Sequence, residues 1–438
     1  MEQLINISPL SGRYFSQTNI LSNYFSEYGY IKYRLKIEID YFIKLRNTIS
    51  ELKNFPINDT DLTNIYHNFT PKDALVIKEI EKTTKHDVKA IEYFLKNRLP
   101  DDYKEFVHFG LTSQDINNPA LSLSIKDCLT EIVYDKINSI MEKLLQFCSK
   151  WKDVPMLSRT HGQPASPTTL GKELYVFYYR LQIEFKILQD IQIYTKFGGA
   201  VGNLNAHYVA YPDIDWIQWC NDFIQSIGLS RSLITTQIDN YDSLSRIFDS
   251  LKRISIILTD MCQDIWLYIS MNYFKLNIEE GTVGSSTMPH KVNPINFENA
   301  EGNLKLAANL LQFLSSDLPI SRLQRDLTDS TVSRNIGSAF GHFVLALDSI
   351  LSGCAKLDIN PTPITQDLTD NPMVIAEAIQ TILRKEGIQN PYEKLKTLTQ
   401  NRNVSIEDLK LFINSLEISD DIKKTLLNIT QFNYLGVF

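Results

Sequence analysis

Glycine and proline are scarce in this chain, 17 and 16 in 438 residues. Long stretches carry neither helix breaker, so uninterrupted elements can form. Cysteine is scarcer still. Cys128, Cys148, Cys220, Cys262 and Cys354 are odd in number, far apart and without a CxxC pair. That argues against zinc sites and a disulfide framework, and for buried free thiols in a reducing compartment. None of the seven histidines belongs to an HExxH-like metal-ligand set. Met1-Glu2-Gln3-Leu4 lacks the basic and apolar regions of a secretion signal, and no uncharged run reaches membrane-spanning length. A net charge of −7 with both signs interspersed offers no nucleic-acid surface, yet leaves room for a local cationic pocket. The expectation is a cytosolic protein with neither membrane nor nucleic-acid partners.

What is present is helical periodicity. Residues 121–150 place Val133, Ile137, Ile140, Leu144 and Cys148 on one helical face. Residues 172–195 and 244–275 contain no Gly or Pro, and 295–316 and 331–352 carry aliphatic or aromatic stripes. Five such segments predict an elongated all-α bundle. Their apolar faces are wide at Ile254–Leu258 and from Leu304 to Leu314, so each helix needs neighbours on several sides, which a closed homo-oligomer would supply. The strand signal is thin. Three segments are expected: a helical 1–105 with loops near 54–61 and 99–102, the bundle over 106–352, and a small domain of shorter helices over 353–438. A loop-like break, Asp358-Ile359-Asn360-Pro361-Thr362-Pro363, falls near the start of the last.

The chemistry concentrates in Gly284-Ser285-Ser286-Thr287-Met288-Pro289-His290-Lys291-Val292-Asn293-Pro294. Gly281 and Gly284 free the backbone to turn its N–H groups inward. Ser285 and Ser286 sit where such amides stabilise an alkoxide or a bound carboxylate. Lys291 adds positive charge, and Asn293 can orient a planar anion. On composition alone the same residues also fit a polar loop ahead of a helix. In Ser158–Ala165, His161 lies in a loop restricted by Gly162 and Pro164, as a structural hydrogen-bonder or a catalyst; Glu298 is a carboxylate that would raise its pKa. Lys85-His86-Asp87 is either a ligand element or a solvated charge cluster. Ser113 or Asp115 fits a helix N-cap, which is compatible with an anion site, and His108 between Val107 and Phe109 reads as a core histidine. Arg322, Arg325 and Arg334 with the hydroxyls of 330–333 fit a phosphate cradle as well as a salt-bridged surface.

The order of residues in 284–294 resembles the signature loop of the fumarase/aspartase superfamily, lyases that release fumarate from succinyl-bearing substrates. The Met-Pro-His-Lys form is similar to the adenylosuccinate lyase branch. Ser11-Gly12-Arg13-Tyr14, His86-Asp87, Thr112-Ser113-Gln114-Asp115-Ile116-Asn117, Arg159-Thr160-His161-Gly162-Gln163, Thr235-Thr236-Gln237 and Gln324-Arg325-Asp326 follow in family order. The resemblance implies a three-domain fumarase/aspartase-like fold whose long-helix bundle is completed by tetramerisation. It implies succinylated purine nucleotides as substrates, no cofactor, Ser285 as general base and His161 as general acid. Each site would draw its elements from three chains. It further implies substrate contacts from Arg13, Tyr14, Lys85, His86, Asp87, Thr112, Ser113, Gln237, Lys291, Val292, Asn293 and Asn299. Arg325, Ser330, Thr331, Val332, Ser333 and Arg334 would add the phosphate contacts, with His108 and Glu298 in support. Lys85 stands where relatives often carry Asn. Asn240-Tyr241-Asp242 departs from their Pro-His/Arg-Asp, which leaves Tyr241 without a role. Another fumarate-releasing lyase or a cycloisomerase, or a structural protein on the same fold, are the competing readings.

Overall fold

The computed structural model describes residues 2–277, 288, 291–399 and 404–437. Gly281, Gly284, Ser285, Ser286, Thr287, Pro289 and His290 lie outside them. Four of the five expected helices form as continuous helical paths, and the fifth divides. Ser113–Cys128 continues through a π turn at Leu129–Val133 into Tyr134–Lys150; the others are Leu170–Asp190, Asp242–Ser270, Ile295–Asp317 and Ile336–Lys356. The first starts well before residue 121, because Asp115 Oδ2 accepts from the Thr112 N–H at 2.9 Å and closes the N-terminal turn. Residues 331–352 divide instead: Thr328–Ser333 is a separate short helix, and Arg334-Asn335 break the path before Ile336.

Two segments read as loops are strands. Pro155–Thr160 pairs antiparallel with Gln163–Thr169, and the chain reverses at His161 (φ 53°) and Gly162 (φ 74°). Two consecutive left-handed residues are what a two-residue hairpin turn with the right twist requires. In the 358–363 break, Leu357–Ile359 pairs antiparallel with Phe274–Leu276, and Pro361 opens the Pro361–Asp370 helix, where its missing N–H removes no bond. A third pair, Tyr194–Lys196 with Ser230–Ser232, is parallel, so the preceding helix stops at Asp190 rather than 195.

The chain folds into two compact units. One comprises Met1–Asn138, Ile183–Thr259 and Asn299–Asp348; the other comprises Ser139–Gln182, Asp260–Glu298 and Ser349–Phe438. In the first, the Glu27–Arg46 helix contributes Leu35, Tyr41 and Phe42 to a core that includes Phe94, Ile116, Phe197, Trp216 and Phe223. In the second, Ile379, Leu383, Leu409, Ile413 and Leu426 form the core of the C-terminal helices. All five cysteines are buried, and none of them is in a disulfide. Thr328–Lys356 is long and apolar enough to cross a bilayer by composition, yet Phe340, Phe343, Val344, Leu347 and Ile350 are buried inside the fold. Other apolar side chains stay uncovered by the single chain, notably Val176, Tyr179, Ile183 and Ile187 at helical spacing.

At the centre of the first unit lies a buried ion pair. Lys196 Nζ is 2.7 Å from Asp115 Oδ1, and both side chains are fully buried. The same carboxylate accepts from the amides of Gly198 at 2.7 Å and Gly199 at 3.1 Å, and Lys196 also donates to the Gly199 carbonyl at 2.6 Å. This glycine turn is obligatory at Gly202, where φ is +85° and a Cβ would sit 2.2 Å from the Thr235 carbonyl oxygen. Removing one member strands the other charge. Lys196→Met should therefore cost about 3–5 kcal/mol in chemical denaturation, and Asp115→Asn added to it should recover part of that loss. A loss near zero for Lys196→Met would mean that the glycine amides alone suffice for Asp115.

Candidate active site

A cleft of about 340 Å³ opens in the first unit, a size suited to a small polar ligand. Its first wall is a helix junction. Pro71–Thr84 ends on Lys85 in the left-handed conformation (φ 54°), and Asp87–Lys96 begins immediately, with His86 as its N-cap. His86 Nδ1 accepts from the Lys89 N–H at 3.1 Å, so the neutral ring carries its proton on Nε2. That nitrogen faces Ser113 Oγ at 3.4 Å and is a donor on the cleft side. Asp87 Oδ2 is 3.1 Å from Arg34 Nη1 and 3.9 Å from Arg334 Nη2. Burial pushes the Asp87 carboxyl up, but Arg34, the Val88 amide, His86 and Arg334 outweigh it and hold the group below the usual carboxylate range.

The second wall is the start of the Ser113–Cys128 helix, which turns Ser113, Gln114, Asn117 and Asn118 to the cleft. Gln114 is 2% exposed, and the buried Asn117 Oδ1 has no hydrogen-bond partner. The third wall runs from Arg325 to Arg334. Arg325 Nη2 donates to Ser330 Oγ at 2.9 Å, while its Nε lies 3.7 Å from Asp329 Oδ1. Arg334 reaches Glu27 only at 3.8 Å. These long pairs leave the guanidinium groups open to a better-placed anion, since bidentate binding needs about 2.7–2.9 Å.

Of the expected ligand residues, the cleft brings together Lys85, His86, Asp87, Ser113, Arg325, Ser330, Ser333 and Arg334. Thr112 caps the helix behind them. Tyr14 and Asn299 meet each other, Asn299 Nδ2 donating to the Tyr14 hydroxyl at 3.1 Å, with Arg13 stacked 5.8 Å from the Tyr14 ring centre. Gln237 donates to the Ala200 carbonyl at 3.0 Å; Val332 is buried and Thr331 exposed, and none of the three lines the cleft. His108 is paired with the fully buried Glu38, Nδ1 to Oε1 at 2.5 Å. Burial lowers its pKa, but Glu38 more than compensates and raises it. His108 is not among the residues that line the cleft.

The second unit holds the other expected groups. His161 is exposed at the hairpin tip, whose base is tied down by Arg159 Nη2 donating to Asp367 Oδ2 at 2.6 Å. Glu298 Oε1 accepts from Trp266 Nε1 at 3.0 Å, and no bond joins it to His161 among the described residues of this chain, so the expected pairing is not made there. Lys291, Val292 and Asn293 lead into the Ile295–Asp317 helix, and the Lys291 N–H donates to the Met288 carbonyl at 3.0 Å. Among the described residues no group of three His, Cys, Asp or Glu is placed to hold a metal.

Sequence reasoning missed Tyr30, Arg34, Gln114, Asn118, Tyr241 and Asp329, all on the cleft wall. Gln114 and Asn118 were within reach: they sit four apart on a helix whose Ser113 was already chosen. Arg34 and Tyr30 belong to a helix that carries no local signal.

Solved structures with the same fold include a fumarate lyase from Mesorhizobium sp. BNC1, with a TM-score of 0.76 and 18% identity over 96% of this chain and 95% of that one. Another is a 3-carboxy-cis,cis-muconate lactonizing enzyme from Pseudomonas putida, with a TM-score of 0.73 and 20% identity over 96% and 94%. The fold is thus the all-α, fumarase-like one. A family model described as lyase matches residues 12–307, and one described as adenylosuccinate lyase C-terminal matches 321–435. The chain is 51% identical to the adenylosuccinate lyase of Dictyostelium discoideum over 100% of its own length and 97% of the relative's. It is 43% identical to that of Escherichia coli strain K12, over the same shares. The chain belongs to the adenylosuccinate lyase family.

The Arg34–Asp87 contact makes an acid-sensitive contribution to the cleft. The folded pKa of Asp87 lies below its unfolded value, so the stabilisation is present above about pH 4 and lost as pH falls through the depressed value. Arg34→Leu should shift the acid-unfolding midpoint, followed by circular dichroism, to higher pH. Adding Asp87→Asn should produce no further upward shift. An unchanged midpoint in Arg34→Leu would show that the Val88 amide and Arg334 hold Asp87 without it.

Proposed function

We propose that this chain eliminates fumarate from adenylosuccinate, giving AMP, and from the succinylated aminoimidazole carboxamide ribotide, giving its carboxamide. The observation that carries this reading is the cleft itself. It gathers Lys85–Asp87, the helix start at Ser113 and the Arg325–Arg334 segment, elements more than 200 residues apart at their extremes, into one site for a ligand with several negative charges. Arg325 and Arg334, with Ser330 and Ser333, suit the non-reacting phosphate. Ser113 and the His86 Nε2–H suit a succinyl carboxylate at the helix N-terminus.

The reaction breaks a C–N bond. Ser285, as alkoxide, takes the weakly acidic proton on the carbon next to the β-carboxylate, and the electron pair builds up as a dianionic aci-carboxylate. Lys291 stabilises that charge. The C–N bond then cleaves, its electrons pass to the nitrogen, and protonated His161 supplies the proton that nitrogen needs. The C–H pair becomes the double bond of fumarate.

In this reading the enzyme is a cytosolic homotetramer. Uncovered apolar stripes, Val176–Ile187 among them, support association. The exposed hairpin tip bearing His161 is free to enter a neighbouring chain's site.

An absorbance assay with adenylosuccinate tests the activity directly. In it Ser285→Ala should abolish turnover while substrate binding persists, because the base acts in the transition state. Near-normal rates in that variant, with Ser286→Ala inactive instead, would assign the base to Ser286. Sharing of sites is tested by unfolding and reassembling His161→Ala together with Ser285→Ala. If the two loops come from different chains, random mixing should restore up to about a quarter of normal activity. Continued inactivity in verified mixed oligomers would place both loops on one chain.

A further inference from the structure

Tyr241 sits in a left-handed conformation (φ 59°) and is 3% exposed. For a bulky side chain that backbone is unfavourable and persists only where surrounding contacts over-determine it. Here they do. The Tyr241 N–H donates to Asp239 Oδ2 at 3.1 Å, and the Asp239 N–H donates to Asn118 Oδ1 at 3.1 Å. Asn118 Nδ2 donates to the Tyr241 hydroxyl at 2.9 Å, which completes the ring. The hydroxyl's own proton goes to Asp329 Oδ2 at 3.0 Å. Tyr241 thereby ties the Ser113–Cys128 helix to the Thr328–Ser333 helix across the cleft wall.

The consequence falls on Arg325. Asp329 is 6% exposed, and its free Oδ1 faces Arg325 Nε at 3.7 Å, beyond hydrogen-bonding range. Both of those atoms are buried without a hydrogen-bond partner. A carboxylate with both oxygens free would close on the guanidinium as a bidentate fork. The Tyr241 hydroxyl occupies one oxygen and fixes the plane of the group, so the fork stays open.

We propose that Tyr241 is a positioning residue for phosphate recognition, holding Asp329 back so that the Arg325 guanidinium remains available to the ligand. This rests on the reading of Arg325 as a phosphate contact. Without the hydroxyl, Asp329 turns onto Arg325, and the arginine is withdrawn from the ligand while the elimination chemistry is untouched.

The test is steady-state kinetics of Tyr241→Phe on adenylosuccinate and on its 5′-dephosphorylated form. The ring that fills the site is retained, and thermal melting checks the fold. KM for adenylosuccinate should rise about tenfold, the effect of one hydrogen bond to a charged group, with kcat nearly unchanged and KM for the dephosphorylated substrate unaffected. In an Asp329→Asn background, where no ion pair can close, Tyr241→Phe should add nothing. Equal rises in both KM values, a loss confined to kcat, or a full effect in the Asp329→Asn background would each overturn the proposal. Arg325→Ala separates the two readings. Loss of phosphate preference there but not in Tyr241→Phe removes only the role of Tyr241, whereas a preference retained in Arg325→Ala removes the phosphate assignment and the proposal with it.

Discussion

Asp115 carries the cleft on four donors: the Lys196 ammonium, the amides of Gly198 and Gly199, and the Thr112 N–H. Burying two charges is expensive, and the expense is offset only when every lone pair is satisfied. Asp115 meets that condition, so the start of the Ser113–Cys128 helix has one position available to it. Ser113, Gln114, Asn117 and Asn118 inherit that position, and with it their direction into the cleft. Neighbouring groups reinforce it from behind. His108 pairs with the buried Glu38, and Gly110 lies so close to the His207 ring that a Cβ would approach it to 2.8 Å.

The cleft built on this frame is electrically balanced before any ligand arrives. Arg34, Lys85, Arg325 and Arg334 are matched in number by Glu27, Glu81, Asp87 and Asp329. The pairs differ in quality, and the difference sorts them by role. Arg34 and Asp87 lie at 3.1 Å and organise the helix junction. Arg325 and Arg334 stay at 3.7–3.9 Å from their carboxylates, so exchanging those contacts for a doubly charged phosphate forfeits little. The proposed anion site is compatible with an acidic chain because the loosely paired guanidinium groups act at short range, and the net charge of −7 is screened within about 8–10 Å.

Motif reading singled out its candidate elements because residues of the types that the expected chemistry needs sit next to one another in the chain. His86-Asp87, Thr112-Ser113 and the Arg325–Arg334 run are of this kind, and the structure brings members of each to one wall or another of the same cleft. Periodicity located the long helices for a different reason, since a buried stripe must repeat every three to four residues. It failed where function interrupts the stripe. The first turns of the Ser113–Cys128 helix carry Asn117, Asn118 and Pro119, so no apolar pattern announces them. The hairpin at His161 was hidden by Pro164 and Pro167, which count against strands except at edges, and a two-stranded ribbon is all edge.

Helix content and the residue types of the three cleft elements are properties of short windows of chain, so the sequence by itself determined them. Which windows meet was decided only by tertiary structure. Arg34 faces Asp87 across 53 residues, Asn118 faces Tyr241 across 123, and Tyr241 faces Asp329 across 88. No local preference encodes those distances. They follow from how the cores pack and from the buried charge of Asp115, which tolerates only one arrangement of its donors.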